Sequence, residues 1–432
     1  MTLPVLPRRQ WLQLCAGAAL APHLGAFAQS GGKEAERPIV IAQLADMSPS
    51  QQDVSRDFLI GSRAAWQDLN ARGGLQGRPV QHLAMEVQGS GPSLHNALRS
   101  VLASPACIAL SGCVGDNAAS AIAALQEQTQ PSQPLAHVAP WLHSQEPATS
   151  NDLVFGIFPD YEVQIAHALK TQAAMGVQEL GVVYATAALR QQSQARVQQA
   201  ARVLKLRIQD LPLPGSSPEA DRQISAPSQP MVLFIGGTPE LHGFMRRMNL
   251  QPGRQCYIVA LADVNLQVLS QMGAAKRNVS VIATQAVPLV SAGMPIVRAY
   301  RETLAQLYDE PPSPQGLAGF IAARYTAQVL QDINGPLTRA SALAAFRRRQ
   351  DMNLGGFTVS FDGRKRSHAY VTQSMLTADG RIDAQAVQAL LQHLQGSGIS
   401  GTVGILTGVG AFIVRFGEVG HDTFGRSHHR LI

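Results

Sequence analysis

Gly61-Ser62-Arg63-Ala64-Ala65-Trp66-Gln67-Asp68-Leu69-Asn70-Ala71-Arg72-Gly73-Gly74-Leu75-Gln76-Gly77-Arg78-Pro79-Val80 is a helix that stops and a strand that begins. Ile60, Ala64, Ala65 and Leu69 recur at helical spacing, which predicts an amphipathic helix over Asp57 to Arg72. Gly73-Gly74 ends it, because glycine takes the left-handed backbone that closes a helix without steric penalty. A tight polar turn then delivers the chain to a strand over Val80 to Val87. Upstream, Ile39-Val40-Ile41-Ala42-Gln43-Leu44 is a strand-type run, so the local order is strand, helix, strand.

The alternation continues. Ser93 to Ala103 reads as a helix, Cys107 to Leu110 as a strand, Asn117 to Gln128 as a helix and Leu135 to Val138 as a strand. It restarts with a helix over Tyr161 to Met175, a strand over Leu180 to Tyr184, a helix over Arg190 to Leu204 and a strand over Met231 to Ile235. Leu241, Phe244, Met245 and Met248 stripe another helix, and strands over Tyr257 to Ala260 and Val279 to Ala283 follow. Two more helices carry Val297, Tyr300, Leu304 and Leu307, and then Phe320, Ala323, Ala327 and Leu330. Near Leu354 the pattern turns antiparallel: Gly356 to Phe361, a turn at Asp362-Gly363, Tyr370 to Leu376, and a turn at Asp379-Gly380. Short apolar strands separated by helices predict parallel sheets covered on both faces. Two such sets, with helices returning after the second, predict an α/β chain of two lobes around a cleft.

A chain of 432 residues, 45% hydrophobic and 15% charged, can bury a sizeable core, which excludes wholesale disorder and a polytopic membrane protein. Pro7-Arg8-Arg9-Gln10-Trp11-Leu12-Gln13 precedes an apolar stretch from Leu14 to Leu20, and Ala26-Phe27-Ala28 offers a small-x-small cleavage site. This resembles a twin-arginine export signal, with the Sec route left open. The expectation is a signal peptide over 1–28 cleaved near Ala28, a linker over 29–37 and a periplasmic location. Removing Arg8 and Arg9 takes the net charge from +6 to +4, with no dense Lys/Arg stripe, so nucleic acid is not an expected partner. Cys107, Cys113 and Cys256 are left once Cys15 departs, and they read as buried small hydrophobes.

No Gly-x-Ser-x-Gly elbow, His-Glu-x-x-His helix or phosphate-binding Gly-x-x-x-x-Gly-Lys loop occurs, so no catalytic set and no metal site is expected, and the chain does not read as an enzyme. Gly112-Cys113-Val114-Gly115 is the nearest nucleotide-like turn, but Asp116 behind it would repel a pyrophosphate. His421, His428 and His429 read as a polar terminus. Beyond Asp383, Ala384 to Leu394 is helix-like and Gly398 to Phe416 is Gly-rich. Within that run Gly404 to Gly408 fits a small-xxx-small membrane packing spacing, with a surface strand or a disordered extension as the alternatives.

The Gly61–Val80 segment resembles the first helix and second strand of type I periplasmic solute-binding proteins. These are the branched-chain amino acid and amide-type receptors of ABC importers, where a helix ending Asn-x-x-Gly-Gly-x-x-Gly-Arg recurs. Here the motif is Asn70, Gly73-Gly74 and Gly77-Arg78. Element order agrees through Gly112 to Ser120, Leu180 to Tyr184, Gly236-Gly237-Thr238-Pro239-Glu240 and Phe357 to Gly380, so the resemblance spans Pro38 to Ile382. It implies two Rossmann-like lobes of parallel sheet flanked by helices and joined by a multi-crossing hinge. Lobe 1 would be 38–154 plus 286–352, lobe 2 would be 155–285 plus 353–383, and 384–432 would be a C-terminal extension. It further implies a small-molecule ligand, ABC transporter permease subunits as partners, a monomer that meets the membrane only through the permease, and no cofactor. An extracytoplasmic ligand-sensing module of a signalling system is the alternative.

Carried over position by position, the resemblance puts the ligand's surroundings at Asp116, Asn117, Trp141, His143, Thr238 and Asp263. Asp116 and Asn117 stand where a turn offers a hydroxyl and helix amides to an amino acid's carboxylate, although Asp116 also suits a helix cap. Trp141 is cleft wall or hinge core, and His143 is a cleft residue or a solvated loop residue. Thr238 replaces a second-lobe aromatic or forms the turn before Pro239. Asp263 takes the place of an acid that holds an α-ammonium, or is a solvated loop carboxylate. Two further expected aromatics fall at Val54 and Leu189. An ionised Asp116 facing the cleft would cost a carboxylate ligand on the order of 4 kcal/mol at ~4 Å. The expected ligand is therefore a neutral or cationic polar molecule, an amide or amine, rather than leucine, isoleucine or valine.

Overall fold

A computed structural model describes residues 38–143, 151–274, 276, 278–363, 365–366, 370–377, 379–383, 403–407 and 410–414. The expected signal peptide, linker, Ala384 to Leu394 helix and histidine tail lie outside them. The first sheet contains β1 (Ile39–Asp46), β2 (Val80–Val87), β3 (Cys107–Ser111), β4 (Ala136–Val138) and β5 (Val154–Phe155), parallel in the order β2-β1-β3-β4-β5. All eight residues of β1 are buried, as a central strand covered on both faces requires. Its alternate residues serve two cores. Ile39 and Ile41 pack with Phe58 and Trp66 of helix α1 (Gln52–Ala71), while Val40, Ala42 and Leu44 pack with Leu94 and Leu98 of α2 (Pro92–Ala103) and Ile122 of α3 (Asp116–Thr129).

The Gly61–Val80 segment folds as its spacing predicts, and a side-chain clamp fixes it. Asn70 Nδ2 donates to Val80 O and Asn70 Oδ1 accepts from Val80 N, both at 2.8 Å, so the end of α1 clamps the first residue of β2. Gly74 sits at φ +73°, and a Cβ there would lie 2.0 Å from Arg78 O.

The chain then passes through helix α4 (Tyr161–Ala174) into a second sheet. Its parallel part is β6 (Glu179–Tyr184), β7 (Arg207–Asp210), β8 (Met231–Ile235), β9 (Cys256–Ala260) and β10 (Val279–Gln285), in the order β10-β9-β8-β6-β7. Helices α5 (Ala187–Val203), α6 (Pro218–Ser225), α7 (Thr238–Arg247) and α8 (Leu266–Gln271) connect these strands. After β10 the chain returns to the first core with α9 (Pro295–Leu307), α10 (Pro314–Gln331) and α11 (Arg339–Arg347). Helices α1 and α10 cross backbone against backbone. A Cβ on Gly61 would stand 1.7 Å from Gly316 O, a Cβ on Gly319 2.0 Å from Phe58 O, and Ser62 Oγ donates to Gly319 O at 3.3 Å.

The hairpin of β11 (Met352–Leu354) and β12 (Phe357–Val359) buries Leu354, Phe357 and Val359 in the first core. Residues 353–359, expected in lobe 2, therefore pack with lobe 1, and β5, expected to straddle the boundary, pairs wholly with the first sheet. The last crossing comes later. After the short hairpin of β13 (Phe361–Asp362) and β14 (Lys365–Arg366), β15 (Thr372–Leu376) adds antiparallel to β10, and β16 (Ile382–Asp383) pairs with β15. In the Gly-rich tail, β17 (Val403–Thr407) and β18 (Gly410–Val414) form an antiparallel hairpin, so the membrane packing reading fails there: the backbone is extended, not helical. Among the described residues no helix is long and apolar enough to cross a membrane. Cys107, Cys113 and Cys256 are buried and free, and burial pushes their thiols up to about 11, 12 and 12, as inert core residues require.

Candidate functional site

The loops at the carboxyl ends of the strands face each other across the lobes, and they bring four of the six expected residues together. Asp116 is the first residue of α3, behind Gly115, where φ is +102° and a Cβ would lie 2.6 Å from Asp46 Cβ. Its carboxylate does not cap the helix, since the cap position is Gly115. Instead Asp116 Oδ1 accepts the backbone N–H of His143 at 2.7 Å, and Oδ2 accepts Gln192 Nε2 of the second lobe at 3.3 Å. That bond fixes the loop after β4, which carries Trp141 and His143.

Both side chains turn inward, each 1% exposed, and reach Asp263 in the loop after β9. Trp141 Nε1 donates to Asp263 Oδ1 at 3.4 Å, Tyr161 Oη donates to Oδ2 at 2.7 Å, and His143 Nε2 stands 3.3 Å from Oδ1 as its ion-pair partner. Trp141 packs edge-on against Phe58 at 5.7 Å, Phe158 at 5.2 Å and the His143 ring at 4.9 Å. Burial lowers the basicity of His143, but the Asp263 carboxylate, with Asp116 behind it, overrides this and raises the ring to about 9. Burial alone would lift Asp263, and the imidazolium with its two neutral donors holds it below the usual carboxylate range. Both shifts favour the ionised pair. Gln164 supports it from α4: Oε1 accepts Ala262 N at 3.0 Å and Thr284 Oγ1 at 3.2 Å.

Thr238 belongs to a second junction. It is wholly buried at the start of α7; its Oγ1 donates to Asp53 Oδ2 at 2.5 Å and accepts Asn265 N at 2.9 Å. Asn265 Nδ2 donates to Asp57 Oδ2 at 2.9 Å. Burial raises both carboxylates, Asp53 to about 6. Asn117 is exposed on α3 and does not join either group. Val54 lies in the first core and Leu189 is half-buried against the second, so neither position supplies an aromatic wall.

Tyr161, Gln164, Gln192, Asp53, Asp57 and Asn265 were not singled out from the sequence. Asp53 and Asp57 had a signal, an i, i+4 pair on one helix face. The others act across long sequence gaps and had none.

Both ring nitrogens of His143 face protein groups, Asp263 on one side and Pro159 O at 3.2 Å on the other. The trio of His143, Asp263 and Tyr161 thus resembles a lock between lobes more than a set of groups waiting for a reacting atom. Among the described residues no cluster of His, Cys, Asp and Glu could hold a metal ion. Residues 38–381 match the family model described as periplasmic binding protein.

The chain belongs to the periplasmic binding protein family.

Solved structures agree on the fold. An extracellular ligand-binding receptor from Verminephrobacter eiseniae superposes with a TM-score of 0.70 at 19% identity, over 80% of this chain and 99% of that one. A substrate-binding periplasmic protein from Ralstonia solanacearum gives 0.68 at 20%, over 80% and 99%. A possible leucine/isoleucine/valine-binding protein from Rhodopirellula baltica gives 0.68 at 18%, over 82% and 100%. No curated protein matches the chain. This periplasmic binding protein therefore has the two-lobe α/β architecture of the type I class, in a family of solute binders rather than enzymes.

Proposed function

We propose that this periplasmic binding protein is an exported, monomeric solute receptor that takes a small polar molecule between its lobes and delivers it to the permease of an ABC importer. The observation that carries the reading is the contact of His143, Trp141 and Tyr161 with Asp263, a buried polar junction between the two sheets' loops. In a two-lobe binder such a junction defines a closed form, and ligand affinity follows from the difference between closed and open states. A molecule entering the cleft meets the Asp263 carboxylate, an acceptor that an amine or amide N–H serves and an anion does not. With Asp116 close by, the carboxylates outnumber the cation, so an anionic ligand finds no spare positive charge there. Thermal shift over amino acids, amides, polyamines and aromatic acids tests this. An amine or amide should raise the melting temperature and leucine should not; stabilisation by leucine at micromolar concentration overturns the ligand class.

A further inference from the structure

A groove of about 450 Å³ lies on the first lobe, where α1 and α10 end, α9 begins and the β11–β12 hairpin turns. It is set apart from the cleft. Gly74, one of its lining residues, leads into β2, so the groove stands at the amino edge of the parallel sheet, whereas the cleft loops follow the carboxyl ends. Asp57 at the interlobe junction and Arg72 at the groove are separated by the length of α1 between them, about 22 Å at the helical rise.

The floor of the groove is apolar, from Leu69, Ile296, Ala327 and Leu354. Its charge is positive: Arg72 and Arg324 line it, and none of the described residues that do so is acidic. The two guanidiniums share one carboxylate behind them. Asp68 Oδ1 accepts Arg72 Nη2 at 2.9 Å and Nε at 3.1 Å, and Asp68 Oδ2 accepts Arg324 Nη2. One positive charge is therefore left over.

Arg324 presents that charge within reach of a ligand. Its side chain is 20% exposed, and its Nε and Nη1 meet no described partner and are not sealed from solvent. The Phe320 ring, 5.1 Å from Cζ, steadies the fork. Burial draws this guanidinium below its ordinary value; Asp68 opposes that and Arg72 adds to it, so a second anion beside the pair is stabilising. Two neutral groups stand by. Gln331 is exposed and makes no hydrogen bond to a described residue, and Asn353, whose Oδ1 accepts Gly356 N, keeps Nδ2 to donate. A planar fork of N–H donors matches a carboxylate, and the volume falls within the roughly 300–1,000 Å³ of small-molecule sites.

We infer that this groove is a second binding site, for a small organic acid whose carboxylate meets Arg324 and Arg72 and whose apolar body lies on Leu69 and Ile296. The cleft reading above calls for the opposite charge, and the groove stands whether or not that reading holds.

Three probes that share one ring and differ in charge test it: benzoate, benzamide and benzylammonium. In methyl-detected NMR of the whole chain, benzoate should shift the methyl signals of Leu69, Ile296 and Leu354. The indole N–H signal of Trp141, the reporter of the cleft, should stay still. Benzoate should bind at least tenfold more tightly than either other probe. Equal or tighter binding of benzamide or benzylammonium at the groove methyls overturns the ligand class. A Trp141 response with silent groove methyls places the acid in the cleft and overturns the second site, and silence throughout overturns it as well. Arg324→Gln should weaken benzoate at least tenfold. Gln331→Glu, a change at an exposed position that spares the core, puts a carboxylate at the groove and should weaken benzoate at least threefold. Unchanged affinity in either folded variant overturns the proposal.

Discussion

At one junction between the lobes Asp263 meets an imidazolium, a phenol and an indole; at the other, Asp53 and Asp57 meet the hydroxyl of Thr238 and the carboxamide of Asn265. Both sites set aspartate against neutral donors, Asp263 buried and Asp53 and Asp57 half-buried, and only the first adds a cation. That single difference reverses the titration. Asp263 is held below the usual carboxylate range, whereas desolvation lifts Asp53 to about 6. Hydrogen bonds from neutral groups satisfy a buried carboxylate's geometry, yet only a nearby positive charge offsets its desolvation. The first junction is built for neutral pH, and the second tightens as protons arrive.

The largest effect expected is from Asp263→Ala, which strands the His143 charge in the interior. Removing one partner of a buried pair costs about 3–5 kcal/mol, so urea denaturation should show a loss of that size. A loss under about 1 kcal/mol would show that the pair does not hold the junction.

Next in size is the pH dependence carried by His143. Its folded value near 9 lies above the ordinary 6.5, so its stabilisation is complete below pH 6.5 and disappears as pH rises through 9. The integrated contribution is roughly 3 kcal/mol. Subtracting the profile of His143→Gln from that of the wild type should leave a slope confined to this window; a flat difference would remove the imidazolium from the account. Asp263 works at the other end, its share being lost only as pH falls through its depressed value.

The smallest effect has the opposite sign. Because Asp53 is raised, protonation favours the folded form, and stability from this group grows as pH falls from about 6 toward 3.8. Asp53→Asn keeps an oxygen for Thr238 and deletes the charge. Discounted for solvent at this partly open site, it should gain about 1 kcal/mol at pH 7. The acid-side slope should flatten as well, as chemical denaturation at pH 5 and 7 would register. Destabilisation at both values would mean that the carboxylate is needed charged.

Much of the architecture was legible because it rests on local chemistry. Apolar runs such as Met231–Ile235 and the Asn70–Val80 turn announce themselves within twenty residues. What escaped was polar or short: the edge strand Arg207–Asp210, the helices Pro218–Ser225, Leu266–Gln271 and Arg339–Arg347, and the first turn of α1, whose Gln51 cap makes no side-chain bond. At the site, the positions of Asp116, Trp141, His143, Thr238 and Asp263 were legible, but their company was not. Trp141 and Asp263 are 122 residues apart, and no periodicity within either loop encodes that meeting. Reading His143 and Asp263 as solvated loop residues fails for the same reason, since each is drawn inside by the other.

The crossing of α1 and α10 also sets the order in which the lobes can be made. Ser62 and Gly319 touch across 257 residues of sequence, with nearly all of the second sheet between them. During synthesis the first lobe's strands β1 to β4 exist long before the helix that must cover them. The intervening sheet, whose parallel strands are close neighbours in the chain, can assemble ahead of it. The half of the molecule made first thus waits for a helix made late, and its exposed apolar strands are what a chaperone would meet on the nascent chain.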